Sequence, residues 1–307
     1  MELPPVPPDH DAPAHDAPAH DAIECRLPQR QTVPVVVASP HSGSLYPADF
    51  VAQAAVSLAT LRRAEDAFVD ELFASAPAFG MPLLAARFPR SYVDANREAY
   101  ELDPGMFEGP LPRAVNHRTT RVAAGLGMIP RVAATGEAIY RGRVPSDEIE
   151  RRLETCWRPY HVALSMLVEQ TYSLFGGALL IDAHSMPSSA SGAGSREHRV
   201  DIVLGDNHGE ACNVDLIERA ESWFVAQGLR VRRNQPYAGG FTTQRYGRPS
   251  VGRHALQIEI NRSLYMDEAR HERLPSIGAL EQLMAGLLEE MGQQALETLL
   301  PRPLAAE

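Results

Sequence analysis

Two histidines follow apolar runs that read as buried strands. His41 closes Val33-Pro-Val-Val-Val-Ala-Ser-Pro-His, and His184 closes Ala178-Leu-Leu-Ile-Asp-Ala-His. In an open α/β sheet, ligands and catalytic groups collect beyond the carboxyl ends of the strands. Two imidazoles delivered to that edge can share one metal ion, and a catalytic zinc usually takes three protein ligands and keeps one position for water. The third donor must reach the same edge. Asp66 and Asp70 lie one helical turn apart on a segment whose periodicity predicts a helix, and Asp66, nearer its start, is the better placed. Asp182, two residues before His184 and on the same strand face, suits hydrogen-bonding support of an imidazole. A single histidine after a strand is usually not a ligand, and Asp66 and Asp70 alone would read as a solvated helix face. Two such histidines, each before a small turn (Ser42-Gly43 and Ser185-Met186-Pro187), strengthen the metal reading but leave ordinary loop histidines as the alternative.

Three further clusters carry chemistry. In His254-Ala-Leu-Gln-Ile-Glu259-Ile-Asn-Arg262, a carboxylate interrupts an apolar strand. Burying it is costly unless it is paired or used. Alternation puts Gln257 and Glu259 on one face, so Glu259 is either a general base beside the metal or part of the wet face of an edge strand. Tyr92-Val-Asp94-Ala-Asn96-Arg97 places an amide beside a guanidinium, which suits a substrate carboxylate or a structural Arg–Asp pair. Gln235-Pro-Tyr237-Ala-Gly239-Gly240-Phe-Thr-Thr-Gln-Arg245-Tyr-Gly247 is either a ligand-approaching loop or a hairpin turn. It lacks the Gly-Lys-Ser/Thr ending of a phosphate-binding loop.

The elements that must position these residues alternate between strand and helix. Strands are expected at 33–39, 82–88, 92–95, 178–182, 200–204, 230–233 and 256–260. Helices are expected at 64–76, from Ser146 as N-cap to about 174, at 211–227 and at 277–300. Residues 104–130 read as a long irregular excursion. The pattern predicts an α/β fold, a mixed and mostly parallel sheet sandwiched by helices. A Pro-rich repeat, His10-Asp-Ala-Pro-Ala and His15-Asp-Ala-Pro-Ala, marks residues 1–22 as a disordered tail, and 23–307 as a single catalytic domain.

Composition narrows the partners. The chain has 307 residues and a formal net charge of −10, with no basic block, which argues against nucleic acid and anionic membranes. No apolar run is long enough to span a bilayer, and the amino terminus is not a secretory signal. Cys25, Cys156 and Cys212 are widely spaced, which argues against a disulfide framework and for a reducing cytoplasm.

Taken together, Ser39-Pro-His41-Ser-Gly43, Glu65-Asp66-Ala-Phe-Val-Asp70-Glu-Leu-Phe73, Val93-Asp94-Ala-Asn96-Arg97, Asp182-Ala-His184-Ser-Met-Pro187, Pro236-Tyr-Ala-Gly239-Gly240 and His254-Ala-Leu-Gln-Ile-Glu259 resemble the N-formylglutamate amidohydrolase family, from about residue 33 to 267. The resemblance implies a zinc-carboxypeptidase-like fold, shared with aspartoacylase-like deacylases. It also implies hydrolysis of N-formyl-L-glutamate to L-glutamate and formate in histidine degradation. By that likeness His41 and His184 bind one Zn2+, Glu259 is the base, and Asn96 and Arg97 hold a substrate carboxylate. Arg97 or Arg90 would stabilise the tetrahedral oxyanion, with Tyr237, Gly240 and Arg245 completing the substrate pocket. Asp182, Asp70 and His254 would support the ligands from behind.

Two departures matter. In zinc carboxypeptidases the carboxylate ligand lies three residues after the first histidine, where this chain has Ser44, so the third ligand falls to Asp66 first and Asp70 second. Where relatives tend to have Arg-His before Tyr-Gly, this chain has Gln244-Arg245. The expected partner is a small N-acyl amino acid. The rival readings are a zinc deacylase for another N-acyl amino acid or short peptide, and an inactive metal- or ligand-binding protein.

Overall fold

A computed structural model describes residues 22–112, 114–191 and 199–300. Residues 1–21 of the expected tail lie outside the described residues. Seven strands form one sheet: β1 Ile23–Arg26, β2 Val35–Ser39, β3 Leu83–Ala86, β4 Ala178–Met186, β5 Ile202–Gly205, β6 Val231–Arg233 and β7 Arg253–Asn261. Their order is β1-β3-β2-β4-β7-β5-β6. The central four, β3, β2, β4 and β7, run parallel; β1 is antiparallel to β3 and β5 to β7, and the edge strand β6 runs parallel to β5. The fold is therefore mixed α/β around a mostly parallel sheet.

Helices cover both faces: α1 Arg158–Phe175, α2 Val214–Ala226, α3 Phe241–Tyr246 and α4 Ile277–Leu299. Strand alternation sorts the side chains into two cores. Val35, Val37, Leu179, Ile181, Leu256 and Ile258 join Leu216, Phe224, Met284 and Met291 of α2 and α4. Val36, Ala38, Leu180 and Ala255 join Tyr160 and Leu164 of α1 on the other side. Each such large aliphatic side chain stabilises the fold by about 1.5–3 kcal/mol through burial. The second face changes character along its length. Toward the carboxyl ends, Leu180 gives way to Asp182 and His184, and Ala255 to Gln257 and Glu259.

Several expectations need correction. Of the helix expected over 64–76 only Val69–Leu72 is α-helical; a separate short helix, Leu58–Arg62, precedes it and a 3-10 turn, Ala76–Phe79, follows. The Asp66 N–H bonds the His41 carbonyl at 3.0 Å, and Phe68 is left-handed at φ 65, so a tertiary contact overrides the helical period. Asp66 and Asp70 consequently do not share a helix face. Residues 92–95 are turn rather than strand, because Pro89 accepts the Tyr92 and Val93 N–H groups. Ser146 is itself helical and makes no side-chain cap. The helix after it runs Asp147–Arg152, then a π turn, Leu153–Trp157, before α1. Pro159, with no N–H to donate and a ring that crowds the preceding turn, accounts for that widening.

The Gly-rich segment is not a hairpin; it leads into α3. Nor is β7 an edge strand: it lies between β4 and β5. Among the described residues, the excursion over 104–130 holds only short elements, anchored by Met106, Phe107, Met128 and Ile129 in the α1-side core. Among the described residues, no helix is long and apolar enough to cross a membrane.

Candidate metal centre

Register places the centre. β4 and β7 pair so that Asp182 lies beside Gln257 and His184 beside Glu259. His41 arrives just past the end of β2, which pairs with β4 on its other side. Asp66 is drawn in by its N–H bond to the His41 carbonyl. His41, Asp66 and His184 are all buried, and one donor atom from each lies within 4.8 Å of the others. Asp66 Oδ2 is 3.4 Å from His41 Nδ1 and 3.0 Å from His184 Nδ1. Tetrahedral bonds of about 2.0–2.2 Å put neighbouring donors roughly 3.3–3.6 Å apart, so the Asp66–His41 separation suits a zinc-sized ion, and the Asp66–His184 separation would open slightly to admit one. His41 Nδ1 is moreover a buried nitrogen with no hydrogen-bond partner. Asp70 has no place here. Its carboxylate faces Arg26 at 3.8 Å, and only its backbone N–H approaches, bonding Ser42 Oγ at 3.1 Å.

With both Nδ1 atoms turned inward, the Nε2 atoms meet carboxylates. His41 Nε2 lies 2.7 Å from Asp94 Oδ1 and His184 Nε2 lies 3.1 Å from Asp182 Oδ2. A carboxylate behind a ligating imidazole fixes its tautomer and raises its basicity. Burial would lower the His184 pKa, but Asp182 and Asp66 hold it well above the ordinary value. Burial would raise Asp66, yet the two imidazoles keep it well below the usual carboxylate range. Asp94 is likewise held low against burial, by Arg90, Arg97 and His41.

Glu259 is 7% exposed, and burial pushes its carboxyl up to about 7 despite the opposing His184. Gln257 Nε2 donates to Glu259 Oε1 at 2.8 Å, while Gln257 Oε1 accepts the Gly240 N–H at 2.9 Å. A backbone N–H can only donate, so the amide orientation is unambiguous. The Gly-rich segment reaches this face through two glycines. A Cβ on Gly240 would stand 2.2 Å from Asn96 Nδ2, and one on Gly205 would meet the Ala238 carbonyl carbon at 2.8 Å. Asn96 Oδ1 accepts the Thr242 N–H at 2.8 Å, and its Nδ2 is 3.2 Å from His184 Nε2.

The two arginines part company. Arg97 gives Nε to the Leu126 carbonyl at 3.0 Å and Nη1 to the Asn96 carbonyl at 2.7 Å, so it braces the loop that carries Asn96. Arg90 donates Nε to Asp94 Oδ2 at 3.0 Å, and its side chain stays 28% exposed. Tyr237 is half-buried; burial first, then the Glu259 charge, raises its hydroxyl pKa. Arg245 lies over Phe241 and Tyr246 on α3 rather than against the ligands. His254 is at the opposite end of β7, where its Nδ1 accepts the Asn213 N–H at 3.1 Å at the start of α2.

Arg262, Ser185 and His161 were given no role by sequence reasoning, and Asp94 only that of an arginine partner, which it is for Arg90. Asp94 backs His41, and Arg262 and Ser185 bond Asp66 Oδ1. His161 donates Nε2–H to the Ala95 carbonyl at 2.8 Å and accepts from the Tyr246 hydroxyl, 3.0 Å from Nδ1. Asp94 and Arg262 at least stand inside polar runs that follow turn and strand; His161 sits in a helix with no such signal.

Comparison with known proteins gives one consistent result. The N-formylglutamate amidohydrolase family profile matches residues 33–266. The chain is 31% identical over 265 residues to the N-formylglutamate deformylase of Pseudomonas putida, covering 83% of this chain and 92% of that one. It is 31% identical over 245 residues to the Pseudomonas aeruginosa deformylase, covering 78% and 85%. The crystal structure of N-formylglutamate amidohydrolase from Ralstonia eutropha JMP134 superposes with a TM-score of 0.84 at 36% identity, over 89% of this chain and 98% of that one. With the family profile and the relatives in agreement, the chain belongs to the N-formylglutamate amidohydrolase family.

Proposed function

We propose that this protein hydrolyses the formyl amide of N-formyl-L-glutamate to L-glutamate and formate, using a divalent ion, zinc first, held by His41, Asp66 and His184. The carrying observation is the convergence of His41 Nδ1, Asp66 Oδ2 and His184 Nδ1 beside a buried Glu259. The names of the similar Pseudomonas and Ralstonia proteins support the substrate. When bound, such an ion supplies Lewis acidity and makes water acidic enough to ionise near neutrality. Glu259 takes the proton of the attacking water and passes it to the leaving nitrogen, with Gln257 holding one carboxylate oxygen so that the other is free.

Arg90, partly exposed and with only Nε committed to Asp94, meets a substrate carboxylate or the developing oxyanion. The role expected of Arg97 passes to it, because Arg97 is bound to backbone carbonyls. Asn96, 3.2 Å from His184, and Tyr237, which feels the Glu259 charge, complete the substrate contacts in this reading. A small formyl group offers little to grip, so selection falls on the dicarboxylate end. This reading places the protein at a last step of histidine degradation, in the cytoplasm.

The test is formate release from N-formyl-L-glutamate by the purified protein, with and without a chelator, alongside N-acetyl-L-glutamate. Formate release that stops on chelation and returns with zinc is expected. Equal turnover of the acetyl compound would move the assignment to a general deacylase. Full activity in a metal-free preparation would remove the ion from the reaction.

A further inference from the structure

Asp66 offers the centre one oxygen because the other is taken. Its Oδ1 accepts from Arg262 Nη2 at 3.0 Å and from Ser185 Oγ at 3.3 Å. Arg262 is 6% exposed and is itself anchored twice more: Nε to Ser185 Oγ at 3.1 Å and Nη1 to the Arg63 carbonyl at 3.0 Å. A guanidinium is planar and its donors are fixed relative to one another, so three anchors set the plane of the Asp66 carboxylate. Arg262 follows Glu259 at the end of β7, Ser185 follows His184 on β4, and Arg63 lies just before Asp66. One side chain thus ties together three of the four segments that would supply ligands and base, all but the end of β2 that carries His41.

We propose that Arg262, with Ser185, is a positioning residue that keeps Asp66 a one-oxygen ligand and so sets which divalent ion the centre selects. The inference rests on the metal reading above. Two imidazole nitrogens and a single carboxylate oxygen suit ions content with four neighbours, as zinc is. Ions that demand six, mostly oxygen, neighbours gain less from such a set. Released from Arg262, Asp66 can turn both oxygens to the ion, which raises the coordination number and lowers the preference for zinc.

Cobalt(II) reports this directly, since four-coordinate cobalt absorbs visible light far more strongly than five- or six-coordinate cobalt. The full-length parent, Arg262→Gln, Arg262→Lys and Ser185→Ala are each titrated with cobalt, and zinc and manganese affinities are measured by chelator competition. The parent should give the intense band. Arg262→Gln should lose most of it, and Ser185→Ala should lose part. Zinc affinity should fall about 10- to 100-fold in Arg262→Gln, while manganese affinity falls much less. Arg262→Lys, which keeps the charge but not the fork, should resemble Arg262→Gln rather than the parent. Should Arg262→Gln not fold, the Ser185→Ala spectrum decides. Variants with the parent's spectrum and zinc-to-manganese ratio overturn the role given to Arg262. A parent that binds none of the three ions takes down the metal reading itself, and this inference with it.

Discussion

His184 and His161 are both buried imidazoles on the same side of the sheet, 2% and 4% exposed, yet their surroundings pull them in opposite directions. His184 lies between two carboxylates, Asp66 and Asp182, which keep its pKa well above the ordinary value against burial. His161 lies between a backbone carbonyl and a phenol, and burial drives its pKa down to about 3. Burial alone therefore says little about a histidine. Carboxylates suit an imidazole that meets a cation, while a carbonyl and a hydroxyl suit a neutral ring that ties two segments together. His161 joins Ala95, next to Asn96, to Tyr246 at the end of α3, and so ties the two segments together.

Replacing each imidazole should separate the two roles. His184→Ala is expected to abolish both metal retention and formate release, read by elemental analysis and a coupled assay. His161→Asn should keep the metal; if it lost the ion as completely as His184→Ala, the contrast would collapse. Glu259→Gln should bind the ion as the parent does while turnover falls by about 10²- to 10⁴-fold. Near-normal turnover would take the base role from Glu259.

A smaller effect is expected behind the ligand. Asp94→Asn leaves His41 an uncharged acceptor and should weaken the ion about 10- to 100-fold, as measured by chelator competition. An unchanged affinity would make Asp94 a structural partner of Arg90 alone. The smallest effect is on stability. Unfolded, His161 takes up a proton below about pH 6.5; folded, its pKa of about 3 excludes that proton. Its contribution is therefore full above the ordinary value and is lost as pH falls from there toward 3. Between pH 7 and pH 5 the loss is on the order of 2 kcal/mol. Denaturant titrations should show a shallower decline for His161→Asn than for the parent, and parallel curves would contradict the neutral-ring assignment.

The strands that deliver the centre were legible in the sequence. Val33–Ser39 and Ala178–Asp182 are apolar runs of strand length, and Glu259 stands out because nothing else in residues 256–260 is charged. Such signals are local. Asp66 was legible as a residue but not as a geometry, because its backbone bond to His41 and the left-handed Phe68 are tertiary events that cut a helical period. Arg97 misled for a similar reason. Its neighbour Asn96 does approach His184, but the carbonyls that occupy the guanidinium belong to Leu126 and to Asn96 itself, one of them in a distant loop. His254 misled through strand length: β7 carries it to the end opposite Glu259. The strand β1 was missed, for Ile23–Arg26 is half polar and gains its place only by pairing with β3.

The last strand of the sheet to be made by the ribosome is also one of its innermost. β7 inserts between β4 and β5, which precede it in the chain, and Arg262 at its end reaches back to Asp66 across 196 residues. Until residue 261 has emerged, β4 and β5 each present an unpaired, largely apolar edge, the kind of edge that recruits other chains. Nascent or truncated protein is for that reason the form most exposed to aggregation. The three residues that would hold an ion are all made by residue 184, but the side chain that fixes Asp66 arrives only with Arg262, so the proposed centre takes its final shape with the last strand.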